Sequence, residues 1–182
     1  IRDSDKSLRE ILQMVALMPM AIPGIVLGLA YIFFFNAKEN PLNFFYATMA
    51  ILVINTIVHF YTVSHLSAIT AIKKLDNEFE AVSLSLKIPI YKMFFRVTLP
   101  VCLPTVFDIF IYLFCNAMTT VSGVIFLYSY DTTLASVSAI HLDEQGDVAG
   151  AAAMAMLIVY ISFVVRGLHT VISTLLLKRT QA

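Results

Sequence analysis

The chain has 182 residues, 59% of them hydrophobic and only 13% charged, with 12 Lys and Arg balancing 12 Asp and Glu. Soluble domains are about 45–50% apolar and about 25% charged. A mean hydropathy of +0.85 therefore excludes an ordinary soluble protein and implies an all-α, polytopic transmembrane helix bundle in a lipid bilayer. No basic stripe interleaved with aromatics points to nucleic acid. Cys102 and Cys115, thirteen residues apart in one apolar segment, read as small buried residues rather than a disulfide framework or a metal pair.

A helix needs about 20 apolar residues to cross the hydrocarbon core. The first such run, residues 11–35, carries no formal charge. Within it Pro19 and Pro23 free backbone carbonyls, and Gly24 and Gly28 permit close helix approach. Opening on Ile1 without a signal-peptide pattern, the chain reads as a piece that lacks the spans ahead of it. NAKENPLN then turns through Asn40-Pro41 into a second charge-free run, 44–65. His59 and His65 lie on it about 120° apart around a helix, a poor arrangement for a shared metal.

Residues 66–99 form the longest connection. From Ala71 to Leu86 the apolar positions Ile72, Leu75, Phe79, Val82 and Leu86 recur at three- and four-residue steps, as one helical face requires. Glu78 and Glu80 flank this stripe. Pro89 breaks the helix, and a second amphipathic stretch follows through Met93, Phe94 and Val97. By pattern alone, a helix lying flat on the bilayer fits equally well.

The third run, 101–127, contains one charge, Asp108, and the fourth, 148–170, contains Arg166. Asn116, Thr119, Thr120 and Ser122 are costly in hydrocarbon unless partnered. With Asn116 and Thr120 on one helical face, they read as a translocation-path lining, the alternative being interhelical hydrogen bonding. Gly146, Gly150 and the three alanines after it would let the fourth span pack closely. Asp108 and Arg166 are expected to pair on the cytoplasmic half, with His59 as a possible third member. The competing arrangement lets Arg166 snorkel to the headgroups.

Sidedness follows from Lys and Arg. Arg2, Lys6, Arg9, Lys73, Lys74, Lys87, Lys92, Arg96, Lys178 and Arg179 fall on one side, against Lys38 on the other. Residues 1–10, 66–99 and the C-terminus are thus expected in the cytoplasm.

Glu80-Ala81-Val82, followed by Val97-Thr98-Leu99-Pro100, resembles the EAA loop of binding-protein-dependent ABC importer permeases, which share the fold of the methionine and maltose permeases. That pattern is Glu-Ala-Ala, three residues, Gly, nine residues, then Ile-x-Leu-Pro. Here the spacing is one residue longer and no glycine stands at Leu86 or Lys87, which leaves the docking register open; Ile88-Pro89 is a candidate for the turn. MPMAIPGIVLGLAY (18–31) is similar to the Pro- and Gly-rich helix of the same permeases. Residues 107–140, with GDVAGAAAMAM (146–156), resemble permeases for 2-aminoethylphosphonate, near those for ferric iron, polyamines and thiamine.

The resemblance implies a permease domain over 1–182 in a bacterial inner membrane. It implies a coupling loop, 66–99, whose Phe79, Glu80, Ala81, Val82 and Leu86 contact a cytosolic ATP-binding subunit. A second permease subunit, identical or homologous, and an extracytoplasmic substrate-binding protein would complete the assembly. The chain carries no Gly-rich phosphate loop and no nucleophile–base pair, so ATP hydrolysis is assigned to the separate subunit, and no catalytic residue, cofactor or metal site is expected. The implied solute is 2-aminoethylphosphonate, with ferric iron, a polyamine or thiamine as alternatives. A secondary transporter or channel, which needs no ATPase, is the competing class.

Overall fold

The computed structural model describes the backbone of residues 6–180, with the side chains among them other than those of residues 6, 7, 9, 77, 80 and 175–180. Of the residues counted above for sidedness, Arg2 and the side chains of Lys6, Arg9, Lys178 and Arg179 lie outside the described residues. Every regular element described is helical.

The first apolar run is two helices, α1 (Lys6–Ala21) and α2 (Gly24–Phe35), bent by 103° at their junction. Pro23 is the N-cap of α2 and has no N–H to continue α1, so the ladder stops there. Thr62, 1% exposed, donates its hydroxyl to the Ala16 carbonyl at 2.9 Å, in the last turns before the break. Irregular backbone at membrane depth is tolerated where protein covers it in this way. At the far end of α2 the amides of Asn40 and Asn43 donate to the Phe34 and Phe35 carbonyls, both at 2.8 Å. Asn40 Oδ1 also accepts the Leu42 N–H, an Asx turn over Pro41.

The second run is also a bent pair, α3 (Met49–His59) and α4 (Tyr61–Lys73), meeting at 57°. Residues 66–73, expected in the long loop, therefore belong to α4. The hydroxyls of Ser64 and Thr70 bond the Phe60 and Leu66 carbonyls four residues back, which lets the helix run on through a polar stretch.

The amphipathic helix expected over 71–86 is interrupted after Lys73. A new helix, α5 (Asn77–Ser85), starts beyond Asp76, whose carboxylate accepts the Glu78 N–H as an N-cap. Then come α6 (Ile90–Met93), a π-helical turn at Phe94–Thr98, α7 (Leu99–Val101) and α8 (Leu103–Thr119). The chain bends by 70° between Val101 and Leu103. Of the third run, 101–127, α8 takes only Leu103–Thr119, Val101 ends α7, and residues 120–128 turn instead. After α9 (Ala135–Glu144) comes α10 (Val148–Thr180), the last of the described elements.

By length and composition, Val148–Thr174 suffices alone to cross a membrane, and three bent pairs qualify jointly, giving up to four crossings. The buried core gathers around the turning segment: Ile51 and Leu52 of α3 meet Val124, Leu127 and Val137, with Tyr31 and Phe35 of α2 packed against them. Large side chains elsewhere point outward, Phe33 and Phe163 among them, as a bilayer-facing surface requires.

Gly146 serves a turn rather than a helix contact. With φ +82° it ends α9, and its N–H and that of Asp147 bond the Asp143 and Leu142 carbonyls, a Schellman motif. Ala152 and Ala153, expected in close packing, are exposed in the single chain.

Candidate path, coupling segment and intramembrane charges

The expected path residues sit where α8 ends. Asn116 donates its amide to the Tyr112 carbonyl at 2.7 Å, and Thr119 its hydroxyl to the Cys115 carbonyl at 3.1 Å, so both bond within their own helix. Thr120 has left the helix, with ψ 138°, and does not share a helical face with Asn116. Its carbonyl, freed by the break, accepts the Ser136 hydroxyl at 2.8 Å. Ser122 lies in the turn beyond. Thr119 and Ser122 are exposed, while Asn116 and Thr120 are half-buried.

This turning segment is gripped from two sides. A Cβ at Gly24 would lie 2.6 Å from Ser122 Oγ, and one at Gly28 would lie 2.8 Å from the Gly123 carbonyl oxygen. The two glycines expected to permit close approach therefore do so, against this segment. From α3, Asn55, 1% exposed, donates to the same Gly123 oxygen at 2.8 Å, and its Oδ1 has no partner. Asn55, Gly123 and Ser136 escaped the sequence reading. The available signal was an amide inside the apolar run ILVINTIV.

In the segment expected to couple, Phe79, Val82 and Leu86 are 48%, 56% and 65% exposed and form a ridge along α5 and its C-cap. Ala81 is also exposed, and the side chain of Glu80 lies outside the described residues. An open groove of 720 Å³ runs between this helix and the following stretch, lined by Phe79, Val82, Ile88, Met93 and Val97, with Lys87, Lys92 and Arg96 also in its wall. The π turn then joins the segment to α7 and α8, with Thr98 buried at the joint. Single π turns inside helical stretches are frequent at functional sites.

The left-handed turn falls at Lys87, with φ +53°. Its N–H bonds the Leu84 carbonyl at 3.1 Å, and the Ile88 N–H bonds the Ser83 carbonyl at 2.9 Å, the pairing also seen at Gly146. Counted back from Val97-Thr98-Leu99-Pro100, Lys87 takes the place of the glycine in the EAA pattern, so the extra residue falls before it. Ile88-Pro89 follows the turn rather than making it. A left-handed non-glycine residue costs roughly 1–2 kcal/mol, partly offset in glycine by its greater freedom when unfolded. Lys87→Gly is therefore expected to raise the unfolding midpoint of the purified protein, by roughly 0.5–1 kcal/mol of stability, and Lys87→Val to lower it.

Asp108 pairs with a different partner from the one expected. His169 Nε2 of α10 stands 3.1 Å from Asp108 Oδ1, and neither Arg166 nor His59 reaches the carboxylate. His169 lies one helical turn beyond Arg166 on α10. Charge counting passes over it because histidine is neutral in that count.

Residues 2–178 match the model of a family described as the binding-protein-dependent transport system inner membrane component. The ferric transport system permease protein FbpB of Actinobacillus pleuropneumoniae is 29% identical over 139 residues, which cover 76% of this chain and 20% of that protein. A ferric transport system permease protein of Haemophilus influenzae is 32% identical over 121 residues, 66% of this chain and 19% of that one. The ferric transport system permease-like protein AfuB of Escherichia coli is 31% identical over 74 residues, 41% of this chain and 62% of that one. The chain thus spans about a fifth of the length of the first two relatives. Among solved structures, a bacterial ABC transporter involved in the import of the acidic polysaccharide alginate superposes with a TM-score of 0.73 at 16% identity, over 94% of this chain and 67% of that one, and shares its fold. With the family match running through nearly all of its length, the chain belongs to the binding-protein-dependent transport system inner membrane components.

Proposed function

We propose that the chain is membrane-spanning permease sequence of an ATP-driven importer, working with cytosolic ATP-binding subunits, a second permease half and an extracytoplasmic binding protein. The observation that carries this reading is the exposed ridge of Phe79, Val82 and Leu86 on a short capped helix, linked through the π turn to α8. A segment pushed at this ridge can move a span directly, as alternating access requires. Loop residues 74–99, with residues 1–10 and the C-terminus, take the cytoplasmic side by their Lys and Arg content.

For the solute we propose ferric iron. The ferric names of the curated relatives favour it over 2-aminoethylphosphonate, which the narrower resemblance implied. The test is uptake into proteoliposomes holding the assembled transporter, with the binding protein outside and ATP inside. Uptake of ⁵⁵Fe(III) that requires both supports the reading; uptake that persists without ATP hydrolysis gives the secondary-transporter or channel class instead. Uptake of 2-aminoethylphosphonate but not iron restores the phosphonate assignment.

The path is assigned to Asn116, Thr119, Thr120 and Ser122 at the end of α8. Thr119 is exposed and bonds only its own helix, so a larger side chain there leaves the fold intact. Thr119→Phe is expected to cut uptake at least tenfold at an unchanged level of assembled transporter. Normal uptake by that variant would remove Thr119 from the path.

A further inference from the structure

The second apolar run loses its hydrocarbon character past residue 65, where Ser67, Thr70, Lys73 and Lys74 follow. α4 carries this change and packs against α8. The Phe60 ring stands edge-on to Tyr112, with centroids 6.1 Å apart. Ser67 lies seven residues after Phe60 and Thr105 seven before Tyr112, and the two line one groove. The helices are therefore antiparallel, with the end of α4 at Lys73 beside the start of α8 at Leu103. The charges that begin at Lys73 put this end at the membrane surface.

The groove, of 410 Å³, has two chemical ends. Val63 and Leu66 form an apolar wall on the hydrocarbon side, and Ser67, Thr70, Lys74 and Thr105 line the side toward water. From Val63 to Lys74 is about 16 Å along the axis, whereas the headgroup layer is about 5–7 Å deep on each side of the hydrocarbon core. The groove thus reaches from the acyl chains through the headgroups. The Thr70 hydroxyl bonds the Leu66 carbonyl at 2.7 Å, which leaves the Lys74 ammonium and the Ser67 and Thr105 hydroxyls as donors. Among the described residues neither of these hydroxyls has a partner, and no carboxylate lines the groove.

We propose that this groove binds an anionic phospholipid, its phosphate held by the Lys74 ammonium and the Ser67 and Thr105 hydroxyls and an acyl chain lying along Val63 and Leu66. Phosphate oxygens accept from an ammonium through short, charge-assisted bonds. A basic site between spans at headgroup depth favours anionic lipids over neutral ones. A soluble phosphate would use the polar end alone and leave the apolar wall in water; a lipid covers both. Since Lys74 and Thr105 share the groove, the bound lipid ties together the two ends of the segment that carries α5.

The experiment titrates the purified full-length protein in detergent with phosphatidylglycerol or phosphatidylcholine and counts retained lipid by native mass spectrometry. The wild type is expected to retain phosphatidylglycerol in preference to phosphatidylcholine. Lys74→Gln is expected to lose one bound phosphatidylglycerol per subunit, its affinity for that lipid falling about fivefold, the effect of one Lys at an anionic surface. Thr105→Val, close in shape, is expected to weaken retention in the same direction, and Lys74→Arg to keep it. Lys74 is exposed and Thr105 half-buried, so these variants fold. Lys38→Gln removes the same charge at the opposite end of the α3–α4 pair and is expected to change nothing. Equal retention of both lipids by the wild type, or wild-type retention by Lys74→Gln, overturns the proposal. An equal loss in Lys38→Gln reports net charge only, and displacement of the lipid by inorganic phosphate makes the groove a site for a free anion; either result also overturns it.

Discussion

Gly28→Val is expected to destabilise the folded subunit by roughly 2–4 kcal/mol, with most of the protein lost before purification. A Cβ at Gly28 would sit 2.8 Å from the Gly123 carbonyl oxygen, a backbone atom with no rotamer to move away. That oxygen is also the acceptor for Asn55, so moving it to relieve the clash pulls apart a buried hydrogen bond. Overpacking alone costs about 1–3 kcal/mol, and stranding a buried polar group costs about 1–3 kcal/mol more. Gly167 supplies the control, since nothing lies within 4 Å of a Cβ placed there. Gly167→Val is expected to leave yield and unfolding midpoint nearly unchanged. Equal behaviour of the two variants in a detergent unfolding experiment would refute the grip on the turning segment.

The second large effect concerns coupling. Val82→Glu and Leu86→Glu place carboxylates on a ridge already 56% and 65% exposed in the single chain. Surface substitutions of this kind usually change stability by no more than about 0.5 kcal/mol, so the subunit should fold and insert normally. If the ridge is buried against the ATP-binding subunit, each variant desolvates a charge at the interface. Central interface positions cost about 2 kcal/mol or more when disrupted, and each 1.4 kcal/mol is about tenfold in affinity. Retention of the ATP-binding subunit during purification is therefore expected to fall at least tenfold, and ATP-driven uptake with it. Full retention by both variants would show that the ridge faces something else.

Pro19 and Pro23 marked freed carbonyls in the first run, but only Pro23 stands at the break, while Pro19 lies inside α1. The size of the bend, 103°, was not legible, nor was the contact of Thr62 with the Ala16 carbonyl 46 residues away. VSGVIFL after Thr120 reads as more helix by hydropathy. It turns instead, held by Asn55 from 68 residues upstream and by Ser136 on α9. Such contacts leave no periodic trace in a single sequence. The ridge of Phe79, Val82 and Leu86 was legible from its spacing, although the helix carrying it starts only at Asn77. Where the turn of the loop falls was not legible either; it shows in one backbone angle, φ +53° at Lys87.

The account turns on α5 docking against a cytosolic ATP-binding subunit. The most direct measurement is cysteine cross-linking in the assembled transporter, starting from Val82→Cys with the other cysteines of the complex replaced and single cysteines placed on the ATP-binding subunit. A short bifunctional reagent is expected to join position 82 to that subunit, with a yield that changes when ATP is bound. If cysteines across the whole membrane-facing surface of the ATP-binding subunit give no product with position 82, while position 82 joins only another membrane segment, the coupling assignment is contradicted.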